Sequence, residues 1–336
     1  MKTALVTGIT GQDGRHLSEF LLNKGYRVFG LVNGQGNDKI EELSNNLPAV
    51  EMIFGDITDN SSILAAIQNS QPDEIYNLAA ISFVGLSFTQ PELTAHVTGI
   101  GILRILEACR SLNIADKIRI YQASSSEMYG KVRETPQNEN TPFHPRSPYG
   151  VAKTYAHFIS INYREAYKMF VSTGILFNHE GEHRGHEFVT RKITQGVAKI
   201  KLGLSQEIRL GSLEPKRDWG YAGDYVQAMW KMLQIDKPDD FVIATGETHS
   251  VREFLSEAFD AVDIEDGIAK YVKQDEKFIR TSEVDLLVGD YSKAKKILDW
   301  EPQTRFRDLV RLMVRNDLIL EAHKARLAVP ETPVTP

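Results

Sequence analysis

Short apolar runs alternate with helical periodicity along the first half of the chain. Thr3–Thr7, Arg27–Val32, Glu51–Phe54, Glu74–Leu78 and Lys117–Ala123 read as buried strands. Asp13–Asn23 and Pro91–Leu112 read as helices, the second with Leu93, Val97, Ile100 and Leu103 on one stripe. A further helix runs to about Tyr167. Ser147 is placed to cap it, and Pro148 suits its first position. Val171–Phe177 follows as a sixth strand. This alternation with short connections predicts an α/β fold of right-handed βαβ units, with a doubly wound parallel sheet covered on both faces.

The second half is more mixed. Phe188–Lys201 and Ala222–Gln234 read as helices, and Glu207–Leu210, Phe241–Ala244 and Ala269–Val272 as short strands. Tyr291–Leu298 and Phe306–His323 read as the last helices. The expected division is a first domain over residues 1–177, to which later segments return, and a smaller mixed α/β lobe over 178–325. Residues 326–336 carry three prolines and little to bury, and are expected to be a disordered tail. There is no internal repeat.

Composition narrows the function. A net charge of -6 and a pI near 5.9 argue against a general nucleic-acid binder, so an anionic ligand would need local basic groups. The single cysteine, Cys109, excludes an internal disulfide and lies in an apolar helical stretch, which reads as core rather than nucleophile. The chain starts directly on a strand without a signal peptide, and no apolar run is long enough for a bilayer. The expectation is a cytoplasmic protein with no membrane partner.

Gly8-Ile9-Thr10-Gly11-Gln12-Asp13-Gly14 lies between the first strand and the first helix. Glycine there permits a tight turn, close approach to a pyrophosphate and close helix–sheet packing, while the helix N-terminus offers N–H donors. In this strand–turn–helix setting the motif predicts a dinucleotide site on a Rossmann-type sheet. Its G-x-x-G-x-x-G spacing resembles the short-chain dehydrogenase/reductase superfamily. By that resemblance, Asp56-Ile57 after the third strand would lie near adenine, and Leu78-Ala79-Ala80 would line the cofactor. Asp56 reads equally as a helix or turn cap. After the second strand stands Val32-Asn33-Gly34-Gln35-Gly36-Asn37, with neither the acid typical of NAD sites nor the Arg of NADP sites.

Tyr149 and Lys153 form Y-x-x-x-K, which places both on one helix face. A lysine ammonium beside a phenol favours phenolate, so the Tyr149 pKa is expected to fall and the group to act as a base. Ser125 and Glu127 follow the fifth strand, where open α/β sheets place their active groups. Ser125 is the candidate partner of a substrate oxygen. Glu127 separates chemistries: hydride transfer alone does not need it, whereas loss of water across two carbons needs a group that takes one proton and gives another.

At this point the resemblance becomes specific, to the GDP-mannose 4,6-dehydratase family of extended short-chain dehydrogenases. It rests on Val6–Gly14, Ser147-Pro148-Tyr149-Gly150-Val151-Ala152-Lys153, Ile175–Glu180, Phe188–Ile193, Lys216-Arg217-Asp218-Trp219-Gly220, Val242–Glu247 and Glu283-Val284-Asp285, and so covers nearly the whole chain. The resemblance implies a hydro-lyase with Ser125, Glu127, Tyr149 and Lys153 as catalytic residues. Its cofactor would be NADP, with NAD the alternative, held by Gly8, Thr10, Gly11, Gln12, Asp13, Gly14, Asp56, Ile57, Leu78, Ala79, Ala80, Tyr149 and Lys153. Asn178, Lys192, Arg217 and Arg280 would surround the diphosphate of a GDP-sugar, with Glu283 near its ribose and Ser82, Ser126 and Val189 completing the substrate site. No metal is expected. The helices at Pro91–Leu112 and Tyr149–Tyr167 resemble those of a four-helix interface, which implies a homodimer, with a tetramer as the further option.

The chain departs from the family in three places. Ser125 stands for the usual threonine, Gly181-Glu182-His183-Arg184 for the usual Ser-Pro-Arg-Arg, and Asn33-Gly34 for a pair of arginines. These altered loops leave room for a GDP-manno-heptose as substrate. A GDP-4-keto-sugar reductase or epimerase on the same fold is the other alternative. A non-catalytic nucleotide-binding regulator is disfavoured by the complete set of four catalytic residues.

Overall fold

The computed structural model describes residues 1–34, 38–275 and 286–330. In chain order the first part runs β1 (Thr3–Thr7), α1 (Gln12–Asn23), β2 (Arg27–Val32), α2 (Asp38–Asn46), β3 (Glu51–Phe54), α3 (Asn60–Ser70), β4 (Glu74–Asn77), α4 (Val84–Thr89), α5 (Pro91–Thr94), α6 (Ile100–Ser111), β5 (Arg119–Ser125), α7 (Pro148–Tyr167) and β6 (Phe170–Leu176). The second part runs β7 (Asn178–Glu180), α8 (Val189–Lys201), β8 (Ile208–Leu210), β9 (Lys216–Arg217), β10 (Trp219–Tyr221), α9 (Ala222–Met232), β11 (Asp240–Ile243), β12 (His249–Ser250), α10 (Val251–Asp260), α11 (Gly267–Tyr271), β13 (Val272–Gln274), α12 (Ser292–Leu298) and α13 (Phe306–Ala325).

Seven strands form one parallel sheet in the order β11-β6-β5-β4-β1-β2-β3. The order reverses between β1 and β4, which leaves a crevice outside their carboxyl ends, where ligands bind in such sheets. Apolar layers cover both faces. One includes Leu17, Leu21, Tyr225, Met229 and Trp300, and the other Ile63, Ile105, Leu106, Cys109 and Ala156. Burial pushes the Cys109 thiol up to about 12, so it is inert core as the sequence predicts. A separate core gathers Ile193, Val197, Trp219, Phe254 and Met313 from α8, β10, α10 and α13. The edge strand β11 comes from late in the chain and pairs with β6.

Two elements differ from expectation. Pro91–Leu112 is not one regular helix, because a π turn over Ala95–Gly99 separates α5 from α6. The wider turn shifts the buried face. Thr94, Thr98, Ile102, Ile105 and Cys109 point inward, whereas Leu93 is exposed and Val97, Ile100 and Leu103 are only partly covered. Ala269–Val272 was expected as a strand, but Gly267–Tyr271 is a helical turn and the strand starts at Val272. Gly267 lies against the Phe259 ring, where an added Cβ would approach to 2.4 Å, so packing rather than periodicity sets that segment. Of the expected disordered tail, residues 326–330 lie outside regular elements and residues 331–336 lie outside the described residues. No helix among the described residues is long and apolar enough to cross a membrane.

Candidate active site

The turn from β1 to α1 is built by contact. Gly8 has φ +69°, and a Cβ on it would lie 2.8 Å from the Ala79 nitrogen. A Cβ on Gly14 would lie 2.4 Å from the Ile9 Cα. Glycine therefore lets α1 start against the ends of β1 and β4, leaving a cradle that any side chain would fill. Gly11 caps α1 and has no side chain of its own to accept from the first N–H groups of the helix. This is the shape and polarity that a dinucleotide pyrophosphate requires. Thr10 is partly buried and its carbonyl accepts from Arg15 Nε at 3.3 Å.

Strand register assembles the floor of the crevice. Thr7 pairs with Asn77, and Asn77 with Gln122. Thr7 Oγ1 donates to Asn77 Oδ1 at 2.6 Å and accepts from the Ala79 N–H at 3.2 Å, while Asn77 Nδ2 donates to Gln122 Oε1 at 2.6 Å. This buried network fixes the loop carrying Leu78, Ala79 and Ala80. Gln12 donates to the His179 carbonyl at 3.0 Å, and Asp13 pairs with His179 at 2.8 Å. Burial works to raise Asp13, but the His179 imidazole holds its carboxyl well below the usual range. Asp56 accepts from the Thr58 N–H at 2.7 Å and hydroxyl at 2.6 Å, which is the turn-cap arrangement. Ile57 is buried beside Gly101.

The four expected catalytic residues meet where β5 ends and α7 begins. Ser147 Oγ accepts from the Gly150 N–H at 3.0 Å, and Pro148 opens the helix, as predicted. A Cβ on Gly150 would lie 2.8 Å from the Glu127 carbonyl. That close approach brings the turn Ser126–Met128 against the start of α7, with Glu127 in the electrostatic reach of Tyr149. Tyr149 hydrogen-bonds Ser125, and Ser125 Oγ also accepts from the Glu127 N–H at 3.3 Å. Ser126 is buried. Lys153 Nζ lies 5.8 Å from the centre of the Tyr149 ring and donates to the Ala123 carbonyl at 2.7 Å.

The expected direction for Tyr149 is corrected. Burial raises its hydroxyl above the ordinary tyrosine range, and the Ser125 hydrogen bond only partly opposes this. Burial likewise lowers Lys153 to about 8, with Asp13 opposing. Each group resists charge in a dry site, so desolvation outweighs the attraction on which the sequence expectation relied.

Behind Lys153, one helical turn on, His157 is buried. Its Nδ1 lies 2.9 Å from Ser124 Oγ and 3.1 Å from Thr173 Oγ1, and Thr173 donates to Asp240 at 2.7 Å. Burial lowers His157 from 6.5 to about 4. The unfolded chain therefore binds a proton in this window that the folded chain refuses, and stability falls as pH falls from 6.5 towards 4. Denaturant titrations across this range should show that loss for the native chain and a flatter dependence for His157→Gln. Equal slopes would remove His157 from the account.

On the substrate side, Asn178 of β7 pairs with Trp219 of β10. Arg217 is buried on β9, donates to the Lys216 carbonyl at 2.7 Å and pairs through its backbone with His249. Its neighbour Asp218 accepts from Thr245, Gly246 and Gly289, and burial pushes its carboxyl up to about 6. Val189 and Lys192 lie on the first turn of α8, both partly buried. Ser82 is exposed, and its neighbour Phe83 packs edge-on against Phe188 with ring centres 6.0 Å apart, which ties that loop to α8. Arg280 and Glu283 lie outside the described residues. Sequence reasoning missed Arg184, which lies 3.5 Å over the Phe188 ring, pairs with Glu180 at 2.9 Å and is felt by Tyr149. It also missed the His179–Asp13 clamp. Both follow the quoted run Ile175–Glu180 or lie in it, but only the fold shows what they face.

Comparison with known proteins identifies the family. The family model described as GDP-mannose 4,6 dehydratase matches residues 5–313. The GDP-mannose 4,6 dehydratase of Dictyostelium discoideum is 50% identical over 341 residues, covering 94% of this chain and 96% of that protein. The Homo sapiens enzyme of the same name is 50% identical, covering 94% of this chain and 91% of its own. In fold, the chain is similar to a UDP-glucose 4-epimerase of Thermotoga maritima (TM-score 0.82, 25% identity, 96% and 99% of the two chains). It is equally similar to a dTDP-glucose 4,6-dehydratase of Bacillus anthracis in complex with NAD (TM-score 0.81, 20% identity, 97% and 99%). With the family model matched over most of its length, this chain belongs to the GDP-mannose 4,6 dehydratase family.

Proposed function

We propose that the chain converts GDP-mannose to GDP-4-keto-6-deoxymannose. The observation that carries this is the seating of the Glu127 backbone carbonyl against Gly150, which puts Glu127 within electrostatic reach of Tyr149, in a chain half identical to enzymes of that name. NADP, with NAD the alternative, would be held by Gly8–Gly14, Leu78–Ala80 and Lys153, and would supply a hydride acceptor for C4 and a hydride donor for C6, so that net redox is zero. Tyr149 takes the proton from the sugar O4, and Ser125 holds that oxygen. The 4-ketone acidifies C5. Glu127 then removes the C5 proton and protonates the departing C6 hydroxyl, and as C6 takes up hydride the proton that Tyr149 took from O4 returns to C5, so that every group ends as it began. Lys153 donates to the Ala123 carbonyl and keeps the Tyr149 face of α7 in place. Arg217 and Lys192 bind the diphosphate, Arg by a fork and Lys as a point charge, with Asn178, Ser82, Ser126 and Val189 around the sugar nucleotide. Asp56 and Ile57 flank the adenine. Residues from 178 onward serve mainly as the substrate lobe.

Incubation of the protein with GDP-mannose and catalytic NADP should give a product lighter by one water in the mass spectrum. An unchanged mass, or stoichiometric consumption of NADPH with a keto-sugar, would make the chain a reductase or epimerase instead. The same assay with a GDP-manno-heptose ranks the two substrates.

The protein works in the cytoplasm as a homodimer. Val151, Tyr155 and Phe158 form an exposed apolar face on α7, and Leu93 of α5 is exposed as well. An apolar groove of about 430 Å³ lined by Pro145, Val151, Thr154, Tyr155, Phe158 and Ile159 continues it. Such a face suits a two-fold helical interface. Light scattering should give twice the chain mass, and Phe158→Glu should shift it to the monomer. A monomeric native protein would reject the interface.

A further inference from the structure

We propose that His16, Glu182 and His183 bind one divalent transition-metal ion, zinc by preference, which clamps the cofactor helix α1 to the loop after β7. No pattern in the sequence announces this site, because His16 lies far along the chain from the adjacent pair Glu182-His183 and only the fold joins them.

The donor atoms converge. His16 lies on α1 one turn beyond Gln12 and is 7% exposed. Its Nε2 is buried without a hydrogen-bond partner among the described residues, and so is Glu182 Oε2. The two atoms are 3.8 Å apart. The His183 ring is centred 5.0 Å from that of His16, and one donor atom from each of the three residues falls within 4.8 Å of the others. Buried polar atoms are normally satisfied, so two facing orphans call for a partner. An ion bound at about 2.0–2.2 Å from each would satisfy both, because tetrahedral donors at that range lie about 3.4 Å apart, close to the 3.8 Å between these two.

The chemistry of the set selects the ion. Two imidazoles and one carboxylate suit zinc or a similar borderline metal rather than calcium or magnesium, which favour all-oxygen shells. The neighbouring cations already have acidic partners. Arg15 forms a fork with Glu42 at 2.6 and 2.8 Å, Arg191 pairs with Asp317 at 2.8 Å, and Arg184 with Glu180 at 2.9 Å. Tyr221 donates to Glu182 Oε1 at 3.4 Å and packs edge-on to His16, which orients both ligands from outside. A fourth position is left for water. The loop is the stretch in which Gly181-Glu182-His183-Arg184 departs from the family pattern. The ion would sit next to the Asp13–His179 contact and hold α1 in place; it takes no part in the reaction.

Calorimetric titration of the chelator-treated full chain with zinc should show saturable binding of one ion. His183→Ala and Glu182→Gln should each weaken it by at least about tenfold, since even outer-sphere partners are worth 10–100-fold. His186→Ala, which alters an exposed histidine of the same loop, should leave it unchanged. Zinc should raise the melting temperature of the native chain and not of His183→Ala. X-ray absorption of the zinc-loaded native chain, which needs no variant to fold, should show imidazole and oxygen donors near 2.0–2.2 Å. The proposal is overturned by the absence of stoichiometric binding, by native-like affinity in both loop variants, or by a zinc shell without imidazole. All these readouts are independent of dehydratase activity.

Discussion

Glu127→Gln is expected to bind cofactor and GDP-mannose normally yet form the deoxy-keto product 10²–10⁴-fold more slowly, the range of a positioned acid–base group. Glutamine keeps the shape of the side chain. The turn Ser126–Met128 stays in place because its seating depends on Gly150 and on the backbone bond from the Glu127 N–H to Ser125, neither of which the substitution touches. Oxidation at C4 should persist in part, since Ser125, Tyr149 and Lys153 remain. Reduced cofactor should therefore build up on the enzyme and be visible by its absorbance, while solvent deuterium enters C5 slowly. Tyr149→Phe should behave differently and stop even the first oxidation. Because burial disfavours the tyrosinate, the native rate should climb with pH until another group limits it. Near-native dehydration by Glu127→Gln would remove the carboxylate from the elimination and with it the main distinction from a reductase.

The second large effect is expected at Gly14. A methyl there would meet the Ile9 Cα at 2.4 Å and the Gly8 carbonyl at 2.6 Å, both backbone atoms that cannot rotate aside. The helix must retreat from β1, and its N-terminal N–H groups retreat with it. Overpacking of this kind costs about 1–3 kcal/mol, and if that loss falls on the bound state, NADPH affinity drops about fivefold to about 150-fold. Gly11→Ala is the graded comparison, because its Cβ would meet only the Gly8 carbonyl at 3.2 Å. Calorimetry with NADPH should rank native above Gly11→Ala above Gly14→Ala. Undiminished affinity in Gly14→Ala would show that the helix start is not what grips the cofactor.

Much of this protein was legible in one dimension because the deciding interactions are local. Alternating strand and helix periods, a glycine-rich turn after β1, the Ser147-Pro148 helix start and the four-residue spacing of Tyr149 and Lys153 each express a rule acting within a few residues. They identified the parallel sheet, the glycine turn after β1 and the helix α7 that carries Tyr149 and Lys153. Burial depth and long-range partners follow no such rule. The π turn at Ala95–Gly99 left Leu93 of the expected stripe exposed and Val97, Ile100 and Leu103 only partly covered. The helical turn at Gly267–Tyr271 replaced an expected strand. Desolvation reversed the expected shift of Tyr149, because a dry site opposes charge whatever stands nearby in sequence. The close approach at Gly150 that brings Glu127 to Tyr149 depends on how two chain segments meet. The His179–Asp13 pair and the meeting of His16 with Glu182 and His183 join residues more than a hundred and sixty positions apart. Sequence by itself determined the parallel α/β sheet, through short-range periodicity, and the chemistry to expect, through its resemblance to a family. Only the tertiary structure decided which groups share a dry pocket, because that depends on packing between segments that local sequence cannot see.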